Sequence, residues 1–194
     1  MKIKAVEAIL KGEKTFHIYK NDRCQWLGNG IAFYPLDDFP EITPDNIFSV
    51  FDIPQDKREK FRCQYDTFPE GINLLDIDEN EQLLERDIFD VVYYKRLLVP
   101  LKTPTGLIFV QKRLLKPFGD DDEYELYLRE LPSGIPYVAV KRGWNVYGII
   151  APVLIKTDEF IKQAEDLLTF AKLRLENYEK ENGDNAEEPE KTLI

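Results

Sequence analysis

The apolar residues of this chain come in runs of about four to eight, each closed by glycine, proline or asparagine chemistry. A chain punctuated this often cannot build a bundle of long helices. The pattern predicts an α+β fold, with antiparallel sheet or sheets made of short strands, short helices packed on them, and one long helix at the C-terminal end.

In the first part the runs are Ile3 to Leu10, Thr15 to Tyr19, Cys24 to Leu27 and Ile31 to Leu36, divided at Gly12-Glu13, Asn21-Asp22 and Gly28-Asn29-Gly30. All four read as strands, although Val6, Ile9 and Leu10 would also suit one face of a helix. Thr43-Pro44-Asp45 opens a helix whose buried side is Ile47, Phe48, Val50 and Phe51, and Pro54 stops it. A strand follows around Phe61 to Tyr65, and Phe68 to Glu81 reads as loop.

The second part begins with a short helix at Glu81 to Arg86. Strands are expected at Asp90 to Tyr94, Leu97 to Leu101 and Leu107 to Val110, with a turn at Thr103-Pro104-Thr105-Gly106. Gln111 to Phe118 predicts a short helix, Glu123 to Leu128 and Tyr137 to Lys141 a hairpin, and Val146 to Ile155 another strand. From Thr157, apolar residues recur at helical spacing through Phe160, Ile161, Ala164, Leu167, Leu168, Ala171, Leu175 and Tyr178, so Leu167, Leu168 and Ala171 are expected to be buried against the sheet.

Residues 1–183 are therefore expected to form a single α+β domain. It divides into halves 1–75 and 88–156 and a helix over 157–182, with 184–194 a disordered acidic tail. The halves share a weak pattern: Gly30 to Tyr34 followed by Ile47 to Phe51 can be set beside Gly106 to Val110 followed by Leu114 to Phe118. Duplication and chance account for it equally well.

Apolar residues at 43% supply a core, and the net charge of −10 argues against a protein that coats DNA or an anionic membrane over its whole surface. Cys24 and Cys63 have no paired ligand spacing, and the N-terminus lacks the apolar stretch of an export signal. A reduced, cytoplasmic setting is expected. The most apolar window, Val146 to Ile155, is too short to span a bilayer, so no membrane partner is expected.

Catalytic residues are expected to be absent. His17 is the only histidine, Ser49 and Ser133 are the only serines, and neither serine sits in a nucleophile elbow, so His17 reads as an ordinary strand residue. Asp76, Asp78 and Asn80 alternate as in a calcium loop, but Glu81 stands where the sharp turn needs glycine and Asp87 closes where glutamate is usual. They read as a solvated acidic loop, and neither metal nor cofactor is expected. Phosphate-cradling glycine motifs are missing. The charge feature that stands out is an acid-free stretch between Asp90 and Asp120 carrying Lys95, Arg96, Lys102, Lys112, Arg113 and Lys116, the candidate nucleic-acid-binding residues. The plainer reading is the wet face of a hairpin and a short helix.

Gly106-Leu107-Ile108-Phe109-Val110 leading into Lys112-Arg113-Leu114-Leu115-Lys116-Pro117-Phe118, then Tyr124 to Leu128, Tyr137 to Val140 and Ile149 to Val153, resembles one half of a DNA sliding-clamp domain. In clamps a strand runs into a short basic helix facing the hole and three strands follow. The resemblance implies contact with duplex DNA through a local basic face, and a ring only if several copies assemble. The whole chain is also similar in style to small uncharacterised proteins carried on mobile elements and prophages of gut Firmicutes, which brings no activity with it. The expectation is a non-enzymatic clamp-like accessory or interaction module in DNA metabolism of a mobile element. The alternative is a protein-binding regulator or inhibitor using an acidic surface, with no nucleic-acid role. A third class is an enzyme that binds calcium or substrate through the acidic loops. Partners on these readings are an unidentified protein, duplex DNA or a second copy.

Overall fold

A computed structural model describes residues 1–120, 123–153, 155, 160, 162, 166, 167, 169, 170 and 172–174. It divides into two compact units, Met1–Val153 and Leu154–Ile194. The first unit is α+β.

The chain opens with helix α1 (Ile3–Glu13), which replaces the expected first strand. Val6, Ile9 and Leu10 lie three and four apart on one turn face and are all buried, whereas a strand would have pointed Ile9 and Leu10 to opposite sides. Lys14, in the left-handed region at φ 55°, ends it. Three strands follow, β1 (Thr15–Lys20), β2 (Gln25–Gly28) and β3 (Ala32–Pro35). Next comes a single-turn helix α2 (Ile47–Val50), entered through reciprocal Thr43 and Asn46 bonds. A 3-10 turn (Gln55–Lys60) leads to β4 (Arg62–Tyr65).

The expected helix over Glu81 to Arg86 is two strand fragments, β5 (Gln82–Leu83) and β6 (Glu85–Arg86). Six residues give a helix little cooperative gain, and here the backbone is claimed by two different sheets. The remaining elements are β7 (Val91–Tyr93), β8 (Arg96–Thr103), β9 (Gly106–Gln111), helix α3 (Lys112–Leu115), a 3-10 turn (Lys116–Phe118), β10 (Glu125–Glu130), β11 (Pro136–Arg142) and β12 (Asn145–Ile150). β12 ends five residues short of the expected limit.

The large sheet runs β4-β1-β2-β3-β12-β11-β10-β5. Seven strands pair antiparallel, but β4 lies parallel to β1, which corrects the all-antiparallel expectation. The chain between β3 and β4 carries α2 and a 3-10 turn, long enough for the crossover that parallel pairing requires. At the centre β3 pairs with β12, so the two expected halves share one sheet. In the small sheet β8 has β9 along one side, and β7 and β6 at opposite ends of the other.

One face of the large sheet, with Phe16, Ile18, Leu27, Tyr34, Val138, Val140 and Ile150, packs on α1, α3 and the small sheet. Burial of this kind contributes roughly 1.5–3 kcal/mol per large side chain. Gly148 allows this packing, because a Cβ there would collide with the Phe118 ring. The other face, with Tyr19, Trp26, Phe33, Tyr137 and Ile149, is covered by Phe68, Ile72 and Leu74 of the irregular segment 66–81.

In the second unit, residues 160, 162, 166, 167, 169, 170 and 172–174 are helical. Leu167 is 68% exposed, and the Arg174 guanidinium lies over the Phe170 ring at 5.4 Å. Leu168, Ala171 and most of the expected helix and tail lie outside the described residues. Among the described residues, no helix is long and apolar enough to cross a membrane.

Candidate functional site

A cavity of about 540 Å³ lies between the β6–β7–β8 region and the α3 segment. Its size falls within the roughly 300–1,000 Å³ of small-molecule pockets. Val99, Leu115 and Tyr124 supply apolar walls, and Ile88 stands at the mouth. The expected strand Leu107 to Val110 and the expected short helix Gln111 to Phe118 do form, and α3 sets Lys112 and Lys116 one turn apart so that both line the cleft.

Acids meet these cations from outside the acid-free stretch. Lys112 Nζ donates to Asp90 Oδ2 at 2.5 Å, and Asp87 and Asp120 line the same cleft. Arg86 completes it, stacked on Tyr124 with its guanidinium carbon 4.9 Å from the ring centre and donating to the Tyr124 hydroxyl. The described lining is thus balanced, with three bases against three acids.

The other expected binding residues are dispersed. Arg113 turns away from the cleft: its Nε donates to Gln111 Oε1 at 2.9 Å and its Nη2 pairs with Glu13 at the end of α1. Lys102 sits at the far end of β8, 4.0 Å from Glu85. Lys95 and Arg96 are exposed at the β7–β8 turn. The structure brings together Lys112 and Lys116 and leaves the other four elsewhere.

Beside the cleft stands an apolar surface that the sequence reading did not single out. Ile88 is 86% exposed, Phe89 76%, Val92 72% and Leu97 43%. Val92 and Leu97 are cross-strand partners and so share a face, the face on which Val99, two residues beyond Leu97, lines the cleft. The β7–β8 turn is made by Tyr94 and Lys95, both at positive φ (44° and 63°), as a tight hairpin demands, without the Asn or Gly that normally relieves such a turn. Backbone strain of about 1–3 kcal/mol per residue persists where surrounding structure imposes it, and it gathers at functional surfaces. A signal was available: Ile88, Phe89, Val91 and Val92 occupy both parities of a strand, so they cannot all face one core.

The remaining candidates are engaged structurally. His17 Nδ1 lies 2.7 Å from Asp66 Oδ2 and 3.2 Å from the Tyr19 hydroxyl. Asp76 accepts from the Val146 amide at 2.9 Å and from Arg23 at 3.0 Å, and Asp78 accepts from the Asn80 amide and the Asn73 side chain. Glu81 takes up Arg129 and Lys141, each at 2.5 Å. The carboxylates of the calcium-like stretch therefore point to separate protein donors. Among the described residues, no three His, Cys, Asp or Glu side chains gather as a metal would need. Burial pushes the Cys63 thiol up to about 11; burial and the Asp37 carboxylate do the same for Cys24, so both are poor nucleophiles at neutral pH.

Compared with known proteins, the chain matches no family model, no curated protein and no solved structure.

Proposed function

We propose that the protein is a non-enzymatic interaction module that docks another protein on the β7–β8 hairpin and the cleft beside it. The supporting observation is that Ile88, Phe89, Val92 and Leu97 are exposed together beside a cleft lined by equal numbers of bases and acids, with Lys112 paired to Asp90. Apolar anchors beside paired charges suit a protein surface, where exposed contiguous apolar patches mark interaction sites. A phosphate backbone asks for the opposite: cations that are unopposed and can release counterions. The free thiols Cys24 and Cys63 suit a cytoplasmic setting for such a module.

A second reading, a clamp-like accessory in mobile-element DNA metabolism, is favoured by the order of elements. α1 is followed by β1, β2 and β3, α3 by β10, β11 and β12, and the two sets meet through the antiparallel β3–β12 pair. Two half-repeats of a clamp-like domain would be arranged in this way.

Fluorescence anisotropy with duplex DNA across a salt series separates the two. On the docking reading the protein shows no binding at about 50 mM salt, where phosphate contacts are strongest. Binding that falls steeply with salt and is weakened by Lys112→Glu with Lys116→Glu would overturn it in favour of the clamp-like reading.

A further inference from the structure

We infer that the occupant of the β7–β8 surface is a second copy of this chain, with the two β7 strands lying antiparallel about a two-fold axis. This rests on reading that surface as a protein-docking site. The charge layout carries the inference. Asp87 and Asp90 stand at the entry of β7 and Lys95 and Arg96 at its exit, with no charged residue at positions 91–94 between them. Two such segments laid antiparallel set acids against bases at both ends, whereas a parallel arrangement sets like against like. Self-complementarity under a two-fold is what an isologous interface requires.

The strand pairing points the same way. β7 has β8 on one side and, among the described residues, no strand on the other. β7 itself carries no proline and no inward-pointing charge, and its three residues make the edge a short one. Lys95 and Arg96 are exposed and form no ion pair among the described residues, so both are available to a partner. Asp90 already accepts from Lys112, but a carboxylate has lone pairs for a second donor.

The sizes are consistent. Ile88, Phe89, Val92 and Leu97 expose on the order of 500 Å², and the cleft wall brings the surface toward the roughly 800 Å² per partner of a standard interface. The net charge of −10 opposes the approach of two copies. Screening over about 8 Å at ~0.15 M ionic strength limits that opposition to low salt, while contacting pairs survive.

Sedimentation of the full chain over a wide concentration range, at near-physiological salt, tests this. The expected result is a reversible monomer–dimer equilibrium that Val92→Asp weakens about 100-fold, as loss of a central anchor does. Lys95→Glu with Arg96→Glu should also weaken it, as should Asp87→Lys, and mixing these two variants should restore association as a heterodimer. Circular dichroism confirms that each variant is folded, since every altered side chain is exposed or half-buried. A wild type that stays monomeric, a dimer indifferent to Val92→Asp, or a mixture that fails to associate would each overturn the proposal. DNA anisotropy on the same samples keeps the two failures apart. A monomer without DNA binding overturns only self-association, whereas salt-steep DNA binding overturns the docking reading beneath it.

Discussion

The two faces of the large sheet are covered in different ways, and the difference shows what irregular backbone demands. On one face α1, α3 and the small sheet satisfy most of their main-chain groups locally, with the Tyr34 hydroxyl donating to the Leu114 carbonyl at 3.0 Å, so the contact is made chiefly of side chains such as Leu10, Phe16, Ile18 and Leu114, all fully buried. On the other face segment 66–81 has almost no internal ladder, and its carbonyls need partners from elsewhere. Arg129, buried on β10, supplies them: Nη1 donates to the carbonyls of Asn73 at 3.0 Å and Leu75 at 2.8 Å, while Nε and Nη2 hold Glu81. Lys141, Tyr137 and the Val146 amide add further ties to Glu81, Asn73 and Asp76. One cover is held chiefly by area, the other by a smaller apolar contact through Phe68, Ile72 and Leu74 together with a few charged and polar anchors.

The largest expected effect therefore belongs to a single polar residue. Arg129→Met should cost about 3–5 kcal/mol, since it removes a fully buried cation from Glu81 and leaves the Asn73 and Leu75 carbonyls short of a donor. Limited proteolysis should then cut within 66–81 while α1 stays protected; a segment as resistant as in the wild type would break the comparison. Leu10→Ala on the opposite face should cost about 2–4 kcal/mol in urea unfolding, with no selective cutting of 66–81. Loss of that segment before the rest would show that the two covers are not independent.

The smallest effect concerns acid. Burial raises the Asp76 pKa, but the Val146 amide and Arg23 outweigh it and hold the carboxyl below the ordinary range. Amide bonds, from Thr67 to Asp66 and from Asn80 to Asp78, have the same direction of effect. A carboxylate with a lowered folded pKa lends its stability above the unfolded value of about 3.9 and loses it as pH falls through the folded one. Urea midpoints should be flat near neutrality and fall below about pH 4, less steeply in Asp76→Asn. Equal slopes for both proteins would remove Asp76 from the anchors of the irregular face.

The same contrast explains what could be read in advance. β1, β2, β3, β9, β10 and β11 were legible, because alternation and turn chemistry are local. α1 was misread because Val6, Ile9 and Leu10 suit either period, and only the packing surface chooses. β5 and β6 were invisible because two-residue strands exist only through their partners, β10 and β8. The anchoring of Glu81 by Arg129 spans 48 positions of sequence, and no spacing rule reaches that far. At the candidate site the acid-free stretch was real in sequence but not in space. Asp90, just outside it, folds back onto Lys112, and Asp87 and Asp120 enter the same cleft.

The pairing of β3 with β12 also has a bearing on how the chain is made. Phe33 meets its neighbour Ile149 only after roughly a hundred further residues have been synthesised, which at about 5–20 residues per second takes on the order of ten seconds. Throughout that interval the β3 edge of the β1–β3 meander on the nascent chain lacks the strand that pairs with it, even once segment 66–81 is there to cover Phe33. Closure of the sheet must come late, so a pause in translation upstream of β12 prolongs the period in which two growing chains can pair wrongly through that edge.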